Sequence, residues 1–277
     1  MMKSTLQLVP GVRYDMPASF GPTILPAATA VPNATMISTA FDSTPEAVAA
    51  ILAPHLMVGD VPTVYVNRIS YDSLDYLYGR GYEEVIVAMN ARYRDDSEEI
   101  AAPYVCAVWV NQVAPLIPGR ELMGHPKVYA DIPEVVEDGT GLRFEASEYE
   151  TCFLRGEVRA LKELPAATVA RIRGSQTPYS FGWKYVPGPD GTVDVDYGTL
   201  ARTDWNYERC WVGEGESWFL VAPPEQLPVS SRVVSTIASM PVVKRRPAFV
   251  GKGQAIIDRA ATRRLGATAR AQLRQSG

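Results

Sequence analysis

The sequence predicts a mainly β protein of the α+β class, built on a curved antiparallel sheet or a closed β-barrel with a few peripheral helices. Most apolar stretches are short runs rich in Val, Ile, Tyr, Phe and Trp that end at Gly, Pro or Asp, which is typical of strands. The alternating strand and helix patterns of parallel α/β proteins are absent from the sequence. No Ser- or Gly-rich linker divides the chain, so we expect one domain over residues 1–277 with a core between roughly 35 and 260.

The strand prediction rests on segments of high β-propensity. Between two of them, the segment Pro187–Gly191 favours a turn, because proline presets φ and an Asp-Gly pair accepts positive φ. The flanking strands therefore form a predicted hairpin. The predicted strands cover residues 63–70, 83–93, 104–110, 141–154, 179–186, 193–203, 206–221 and 232–240.

Helices are predicted at only a few places. One begins at Thr44, a hydroxyl cap followed by proline at the first helical position, and stops before Pro54. Residues 163–173 form another predicted helix. The C-terminal tail, residues 254–277, predicts a basic, alanine-rich helix over 254–275 that is broken near Gly266. We expect its arginines to form a solvated face or an interface arm: Arg259, Arg263, Arg264, Arg270 and Arg274.

The composition argues against several classes of function. Of the 277 residues 47% are hydrophobic, and 27 basic residues nearly balance 31 acidic ones, for a net charge of −4. Nucleic-acid-binding proteins carry a basic surface, so we expect no nucleic-acid partner. No apolar run approaches the roughly 18 residues of a membrane span, and the N-terminus lacks the apolar centre of a signal peptide. We therefore expect no membrane association and a cytoplasmic location.

Histidine, cysteine and glycine patterns predict neither a metal site nor a cofactor site. The sequence has two histidines, His55 and His125, and three widely separated cysteines without C-x-x-C spacing. The pairs Gly213–Gly215 and Gly251–Gly253 lack the third glycine of a nucleotide-binding loop. We expect an enzyme without a cofactor, or a protein that only binds its ligand.

Lys127 is the candidate nucleophile. It follows a proline in the segment GRELMGHPK, residues 119–127, within an apolar and strand-rich part of the chain. A lysine amine attacks a ketone only when it is unprotonated, and burial favours the neutral form. The neighbours Pro126, Val128 and Tyr129 offer no anionic partner that would oppose this effect. The alternative is an ordinary lysine at an exposed strand end.

The segment GRELMGHPK resembles the hallmark motif of the acetoacetate decarboxylase superfamily, which is Gly-Arg-Glu-Leu, two or three further residues, an aromatic residue and Pro-Lys. Lys127 occupies the position of that family's Schiff-base lysine. Weaker matches are the strand Tyr82–Met89 and the segments 185–191, 214–221 and 227–229. The resemblance implies the barrel-like fold described above, a small keto acid as substrate, and a symmetric homo-oligomer.

The resemblance also suggests roles for residues near Lys127. Glu84 matches the glutamate on the family's first core strand, and it either faces inward to orient substrate and relay protons or lies at a strand edge. We expect Arg120 and Glu121 to brace the loop and bind the substrate, with Arg120 supplying positive charge for a carboxylate. His125, where the family commonly has an aromatic residue, is either a general acid titrating near neutrality or a packing residue.

Three departures from the family pattern concern the reaction. Val128 stands where the decarboxylases carry a second lysine, so charge repulsion cannot activate Lys127. The acidic loop, residues 94–103, is shorter than in the family, and Glu98 or Glu99 is an alternative to Glu84 as the catalytic carboxylate. No arginine near residues 33–39 matches the family's carboxylate-binding arginine.

The chemistry of a lysine imine defines the candidate reactions. A protonated imine withdraws electrons, so a bond to the α-carbon can break and leave an enamine. In a β-keto acid that bond leads to the carboxylate, and carbon dioxide leaves. In pyruvate the methyl group loses a proton, and the enamine then attacks an aldehyde. We predict a lyase that decarboxylates a β-keto acid; the alternatives are a pyruvate aldolase-dehydratase and a catalytically silent small-molecule-binding barrel.

Overall fold

The computed structural model describes residues 3–266. Its strands are β1 (Ala28–Asp42), β2 (Met57–Val58), β3 (Thr63–Leu74), β4 (Arg80–Arg94), β5 (Glu99–Val110), β6 (Lys127–Tyr129), β7 (Val136–Glu137), β8 (Gly141–Glu148), β9 (Thr151–Glu163), β10 (Tyr179–Pro187), β11 (Val193–Phe219) and β12 (Lys244–Arg264). Its α-helices are α1 (Pro45–Ala49), α2 (Val113–Glu121), α3 (Ala166–Ser175) and α4 (Ser231–Ala238). Short 3-10 turns cover Ala18–Phe20 and Asp75–Leu77.

All of these strands belong to one 12-stranded sheet that curves into a ring. The ring follows the order β10-β5-β4-β3-β1-β12-β11, and the pairing of β11 with β10 closes it. Most neighbours are antiparallel, but β5 pairs in parallel with β10 and with β6. The predicted mainly β fold with a closed, curved sheet is confirmed, and the sheet is mixed because β10 and β6 share one edge of β5.

Strand β11 joins the ring to a second layer. Its first part pairs with β10 and β12, whereas its last part pairs with β9, from which β8 and β7 continue. Side chains of β8, β9 and α4 pack against the outside of the ring, including Phe144, Phe153 and Val234. The largest hydrophobic core therefore lies between the ring and this layer, and the inside of the ring is left as a lumen.

Strand β4 shows how one segment serves both the core and the lumen. Val85 and Val87 are completely buried in the outer core. Glu84 and Ile86 point the opposite way and line the lumen. Because successive side chains of a strand alternate between its faces, a strand covered on both sides has an almost continuous apolar sequence. The run 85–89 has this character, and it was predicted as part of a strand.

Two predicted helices are confirmed with small shifts of their ends. Helix α1 follows Thr44, whose side chain accepts a hydrogen bond from the Ala47 amide at 3.2 Å. Helix α3 covers most of the segment predicted over 163–173. Helix α2 was not predicted, because it contains Pro118 and its cap residue Gln112 makes no capping side-chain bond. Within residues 3–266 no helix is long and apolar enough to cross a membrane.

The strand predicted at 232–240 is wrong, because this segment forms α4. Its β-branched residues suggested a strand, but the buried positions Ser231, Val234 and Ile237 recur every three residues. That spacing places them on one face of a helix. The single strand predicted at 141–154 is the β8–β9 hairpin, which turns at Tyr149 and Glu150 with φ values of 44° and 67°.

The helix predicted at 254–275 is also wrong over residues 254–264, which form the last part of β12. Residues 255–258 pair with β1 on one side and β11 on the other, and Arg263 and Arg264 pair with β11 again. Ala255, Ile257 and Arg259 are buried, and their alternation is that of a strand. Pairing on two edges outweighs the helix propensity of alanine and arginine. The rest of the predicted helix, beyond Gly266, lies outside the described residues.

Candidate active site

Lys127 and Glu84 meet in the lumen. Lys127 is the first residue of β6, opposite Val108 of β5, and Glu84 of β4 lies opposite Val110 on the other edge of β5. The Lys127 Nζ donates a hydrogen bond of 2.7 Å to Glu84 Oε2, and both side chains are at least nine-tenths buried. The sequence neighbours of Lys127 supply no anion, as expected, and its anionic partner comes instead from 43 residues earlier in the chain.

The glycine that opens the motif makes room for the lysine. A Cβ atom on Gly119 would lie 2.5 Å from Lys127 Cδ and 2.7 Å from Cε, so the lysine side chain would have to shift to admit any other residue here. Gly124 has φ +69° and contacts the backbone of Lys184. The spacing within GRELMGHPK therefore follows from how α2 and the turn after it pack against the stem of Lys127.

Arg120 and Glu121 stand outside the lumen. The Arg120 side chain is exposed, and its Nη1 donates a 3.0 Å hydrogen bond to the Lys127 carbonyl. The Glu121 carbonyl accepts a hydrogen bond from Lys184 Nζ. Arg120 lines a second cavity of about 420 Å³, which Lys127 also lines. The bond to Glu121 involves its backbone, and neither the Arg120 nor the Glu121 side chain lines the lumen in which Lys127 Nζ meets Glu84.

His125 lines the lumen but does not titrate near neutrality. Its side chain is buried, and its Nε2 lies 3.3 Å from Ser180 Oγ. Burial, and then the positive charge of Lys127, lower the pKa of His125 to about 3. The imidazole is neutral at physiological pH. The prediction of a general acid with a pKa near neutrality is therefore wrong, and the alternative of a packing residue agrees with the contacts.

The loop carboxylates considered as alternatives to Glu84 are engaged elsewhere. Glu98 pairs with Arg263, whose guanidinium holds the pKa of Glu98 below its usual range. Glu99 pairs with Arg92 at 3.2 Å. Neither carboxylate lines the lumen around Lys127. Within the described residues, Glu84 is the carboxylate paired with the lysine.

Tyrosines from adjacent strands enclose the pair. Lys127 Nζ lies 5.5 Å from the centre of the Tyr82 ring, and Tyr71 packs on Tyr82 with ring centres 4.9 Å apart. Burial, and then the negative charge of Glu84, raise the pKa of both tyrosines well above the usual value. Both phenols therefore stay protonated. Tyr71 was not among the predicted site residues; its signal in the sequence is its inward position in the alternation of β3.

Arg259 is a second functional candidate that sequence reasoning placed wrongly. It was predicted on a solvated helix face or an interface arm, but it lies on β12, is only 5% exposed and lines the lumen. Its Nη1 donates a 2.6 Å hydrogen bond to Thr29 Oγ1, and the guanidinium lies 5.0 Å from the centre of the Tyr76 ring. Among residues 3–266, no carboxylate forms an ion pair with it.

The lumen is a single cavity of about 770 Å³ that extends along β4 from Tyr82 to Arg92. Most of its wall is apolar or aromatic. No group of three or more His, Cys, Asp or Glu side chains in residues 3–266 could hold a metal ion. The aromatic side chains of the wall are Tyr65, Tyr71, Tyr82, Tyr179, Trp205, Tyr207 and Phe249.

Known structures share this architecture. The fold is similar to a structure of acetoacetate decarboxylase, with a TM-score of 0.72, 14% identity and coverage of 91% of this chain and 94% of the other. For acetoacetate decarboxylase from Legionella pneumophila the TM-score is 0.67 and the identity 18%, with coverage of 93% of this chain and 96% of the other. A third similar structure is the enduracididine biosynthesis enzyme MppR, complexed with the condensation product of pyruvate and imidazole 4-carboxaldehyde. Its TM-score is 0.64 and its identity 14%, with coverage of 92% of this chain and 98% of the other. No curated protein matches the sequence.

The ring-shaped sheet with a buried lysine in its lumen thus defines an acetoacetate decarboxylase-like fold. The family model for acetoacetate decarboxylase (ADC) matches residues 15–254. The chain belongs to this family, as GRELMGHPK predicted. Membership of the family indicates an enzyme of the lyase type.

Proposed function

We propose that this protein is a Schiff-base-forming lyase in which Lys127 condenses with the ketone of a small β-keto acid and carbon dioxide is released. The observation that supports this most directly is the buried Lys127–Glu84 pair, with its 2.7 Å Nζ–Oε2 distance, in a cavity with aromatic walls. A carboxylate at hydrogen-bonding distance can take the proton that an attacking amine must lose.

The proposed reaction starts with proton transfer from Lys127 Nζ to Glu84. The neutral amine attacks the ketone carbon, water leaves, and a protonated imine forms. The bond between the α-carbon and the carboxylate then breaks, and its electron pair moves into the imine to give an enamine and carbon dioxide. Glu84 gives its proton to the oxygen that leaves as water when the imine forms, so the α-carbon of the enamine needs a second proton, which Glu84 can take from solvent and pass on. Water then hydrolyses the imine and releases the ketone and the lysine ammonium.

The surroundings of the pair favour these steps. Tyr71 and Tyr82 exclude water, and as neutral phenols they can donate hydrogen bonds without adding charge. Charges in such an enclosed site interact more strongly than they do in water.

The size of the lumen favours a second candidate, a pyruvate aldolase-dehydratase that uses the same imine. Acetoacetate has about seven non-hydrogen atoms and needs about 200 Å³ at the roughly 30 Å³ that each water molecule occupies in the liquid. The cavity of about 770 Å³ leaves room for an aldehyde beside a pyruvate imine. The solved structure of MppR holds a condensation product of pyruvate and an aldehyde.

Borohydride trapping tests the proposal. Treatment with borohydride in the presence of acetoacetate or pyruvate should add the reduced keto acid, or its decarboxylated remainder, to the tryptic peptide that contains Lys127. Carbon dioxide release from a β-keto acid supports the decarboxylase, and an aldehyde-dependent product from pyruvate supports the aldolase-dehydratase.

Two lysine variants control the trapping experiment. Lys127→Ala should abolish the adduct, whereas Lys162→Ala, at an exposed position on β9, should not. Because the peptide mass identifies the modified lysine in the unchanged protein, the result does not depend on the stability of the variant. If no keto acid gives an adduct on Lys127, both enzyme proposals fail, and the silent ligand-binding barrel remains.

We also propose a homo-oligomer, as the family resemblance implies. Light scattering of the purified protein measures its mass directly. A mass equal to the 30.3 kDa of one chain would contradict this proposal.

A further inference from the structure

Arg259 is a buried cation whose charge the described part of the chain does not balance. Its side chain is 5% exposed, and the hydrogen bonds it makes in residues 3–266 run from Nη1 to Thr29 Oγ1 at 2.6 Å and to the Pro26 carbonyl at 3.4 Å. Removing a charge from water without an opposite charge is costly, and proteins usually pair it. An unbalanced guanidinium on a cavity wall is therefore suited to an anionic ligand.

Arg259 and Lys127 share one end of the lumen. The guanidinium stacks on Tyr76, and Ile257, two residues earlier on β12, packs in one cluster with Tyr82 and Met123. Tyr82 in turn lies next to the Lys127 amine. Burial raises the pKa of Tyr82, and the negative charge of Glu84 raises it further, whereas the positive charge of Arg259 lowers it. The charges of Glu84 and Arg259 therefore both act on the Tyr82 phenol.

The charges at this end of the lumen favour a monoanion. Lys127 and Glu84 neutralise each other, and Arg259 adds one positive charge. A keto acid with a single carboxylate would compensate that charge. Because Nη1 is already bonded to Thr29 and Pro26, only part of the guanidinium fork remains for the ligand, which limits how strongly the carboxylate is held.

An aromatic part of the lumen wall favours a large apolar group. Trp205 and Tyr207 are stacked with ring centres 5.4 Å apart, and Tyr207 meets Phe249 edge-on at 5.3 Å. All three side chains line the cavity. A carboxylate on Arg259 and a carbonyl at Lys127 would account for the atoms of acetoacetate and leave most of the 770 Å³ and this aromatic wall without ligand contact.

We infer that the substrate is a β-keto acid that carries an aryl-sized apolar group, and that Arg259 binds its carboxylate. The carbonyl carbon lies at Lys127 Nζ, and the apolar group lies against Trp205, Tyr207 and Phe249. This inference rests on the proposed Lys127 imine and adds to it the substrate class and the residue that selects an acid over a neutral ketone.

Arg259 is tested with variants and a pair of ligands. Borohydride trapping is compared for benzoylacetate and for acetophenone, its neutral counterpart without a carboxylate. The unchanged protein should trap the acid at least tenfold faster at equal subsaturating concentration. Arg259→Gln should remove most of this preference and still trap acetophenone, and Arg259→Lys should restore part of it. Arg264→Gln, at an exposed position on the same strand, should behave like the unchanged protein.

Steady-state kinetics separate binding from a structural effect. Because Arg259 contacts the carboxylate before and during bond cleavage, Arg259→Gln should raise KM for benzoylacetate on the order of tenfold or more and change kcat less. A variant that is merely misfolded would lose acetophenone trapping too, and its activity would not recover in Arg259→Lys.

Substrate size is tested with the phenyl and methyl β-keto acids. Benzoylacetate should have a kcat/KM at least tenfold above that of acetoacetate, because burying a phenyl group against apolar walls is favourable. Phe249→Leu, which removes one aromatic wall, should lower kcat/KM for benzoylacetate more than kcat/KM for acetoacetate, so that their ratio falls by about threefold.

The outcomes distinguish this inference from the proposed function. If no ligand gives a Lys127 adduct, the proposed function fails. If adducts form but Arg259→Gln keeps the acid preference of the unchanged protein, Arg259 is not the carboxylate site. If acetoacetate is turned over as efficiently as benzoylacetate, or if only pyruvate with an aldehyde gives product, the inference that the substrate is an aryl β-keto acid is wrong.

Discussion

At the scale of single residues, Lys127 depends on atoms that are distant in sequence. Glu84 supplies the charge beside its amine, and Gly119 supplies the space beside its stem. Neither the lysine nor its immediate neighbours provide these conditions. The motif identifies Lys127 in the sequence, but the groups that surround its amine and its stem can be identified only in the structure.

Substituting Gly119 should disable the site without unfolding the protein. In Gly119→Ala the new methyl group would lie 2.5 Å from Lys127 Cδ, so the lysine must move away from Glu84. We expect borohydride trapping to slow by about tenfold to a hundredfold, since a misplacement of about 1 Å can cost about a hundredfold in rate. Gly174→Ala is the control, because nothing lies within 4 Å of its Cβ. Trapping at the unchanged rate in Gly119→Ala would contradict the packing argument.

His125 should make stability depend on pH below neutrality. Burial lowers its pKa from 6.5 to about 3, so between these values the unfolded chain binds a proton that the folded protein does not. Stability therefore falls as the pH falls through this range, by up to about 1.4 kcal/mol per pH unit. Urea denaturation between about pH 6 and pH 4 should show a shallower dependence for His125→Phe. His55 is present in both proteins, and equal slopes would rule out a buried neutral His125.

At the scale of elements, the start of α4 is attached to the β8–β9 hairpin through Glu148. The buried carboxylate accepts hydrogen bonds from the amides of Val229, at 2.8 Å, and Ser230, at 2.9 Å. These amides precede the first turn of the helix and have no partners within it. This attachment fixes α4 against the outside of the ring.

Glu148→Gln should therefore destabilise the fold. The amide can replace only one of the two charge-assisted hydrogen bonds, so we expect a loss of about 1–3 kcal/mol in the free energy of unfolding. Glu150→Gln, two residues later and exposed, should change it by less than about 0.5 kcal/mol. Chemical denaturation measures both. Equal stabilities of the two variants would show that the carboxylate is not needed as a cap.

The two mispredicted elements have one cause. In 232–240 the composition suggested a strand, and in 254–264 it suggested a helix, yet each segment follows the periodicity of its burial instead. Propensities differ by less than about 1 kcal/mol per residue, whereas burying one large apolar side chain contributes roughly 1.5–3 kcal/mol. Short segments are therefore decided by what packs against them.

At the scale of the whole molecule, the ring is closed where β10 meets both β5 and β11. Phe181 of β10 is completely buried at this seam, opposite Tyr104 and Leu200. Its neighbour Ser180 contacts His125 in the lumen. Closure of the ring and the shape of the site are therefore linked through β10.

Two core substitutions test this link. Phe181→Ala and Phe153→Ala should each lower the free energy of unfolding by about 3–5 kcal/mol, since both side chains are fully buried. Phe153 packs on Trp109 in the core outside the ring, at 4.9 Å between ring centres. We expect only Phe181→Ala to slow trapping at Lys127, measured at a temperature where both variants are folded. An equal effect on trapping would mean that the seam does not control the site.

The sequence by itself determined the β-rich fold and the choice of Lys127 as the candidate nucleophile. Strand propensity is a local property, and the spacing in GRELMGHPK records local packing of α2 and its turn on Lys127. Only the tertiary structure decided which carboxylate pairs with that lysine and where Arg259 points. Glu84 and Arg259 reach the lumen through strand register around a closed ring, and such register depends on pairings between segments far apart in the chain.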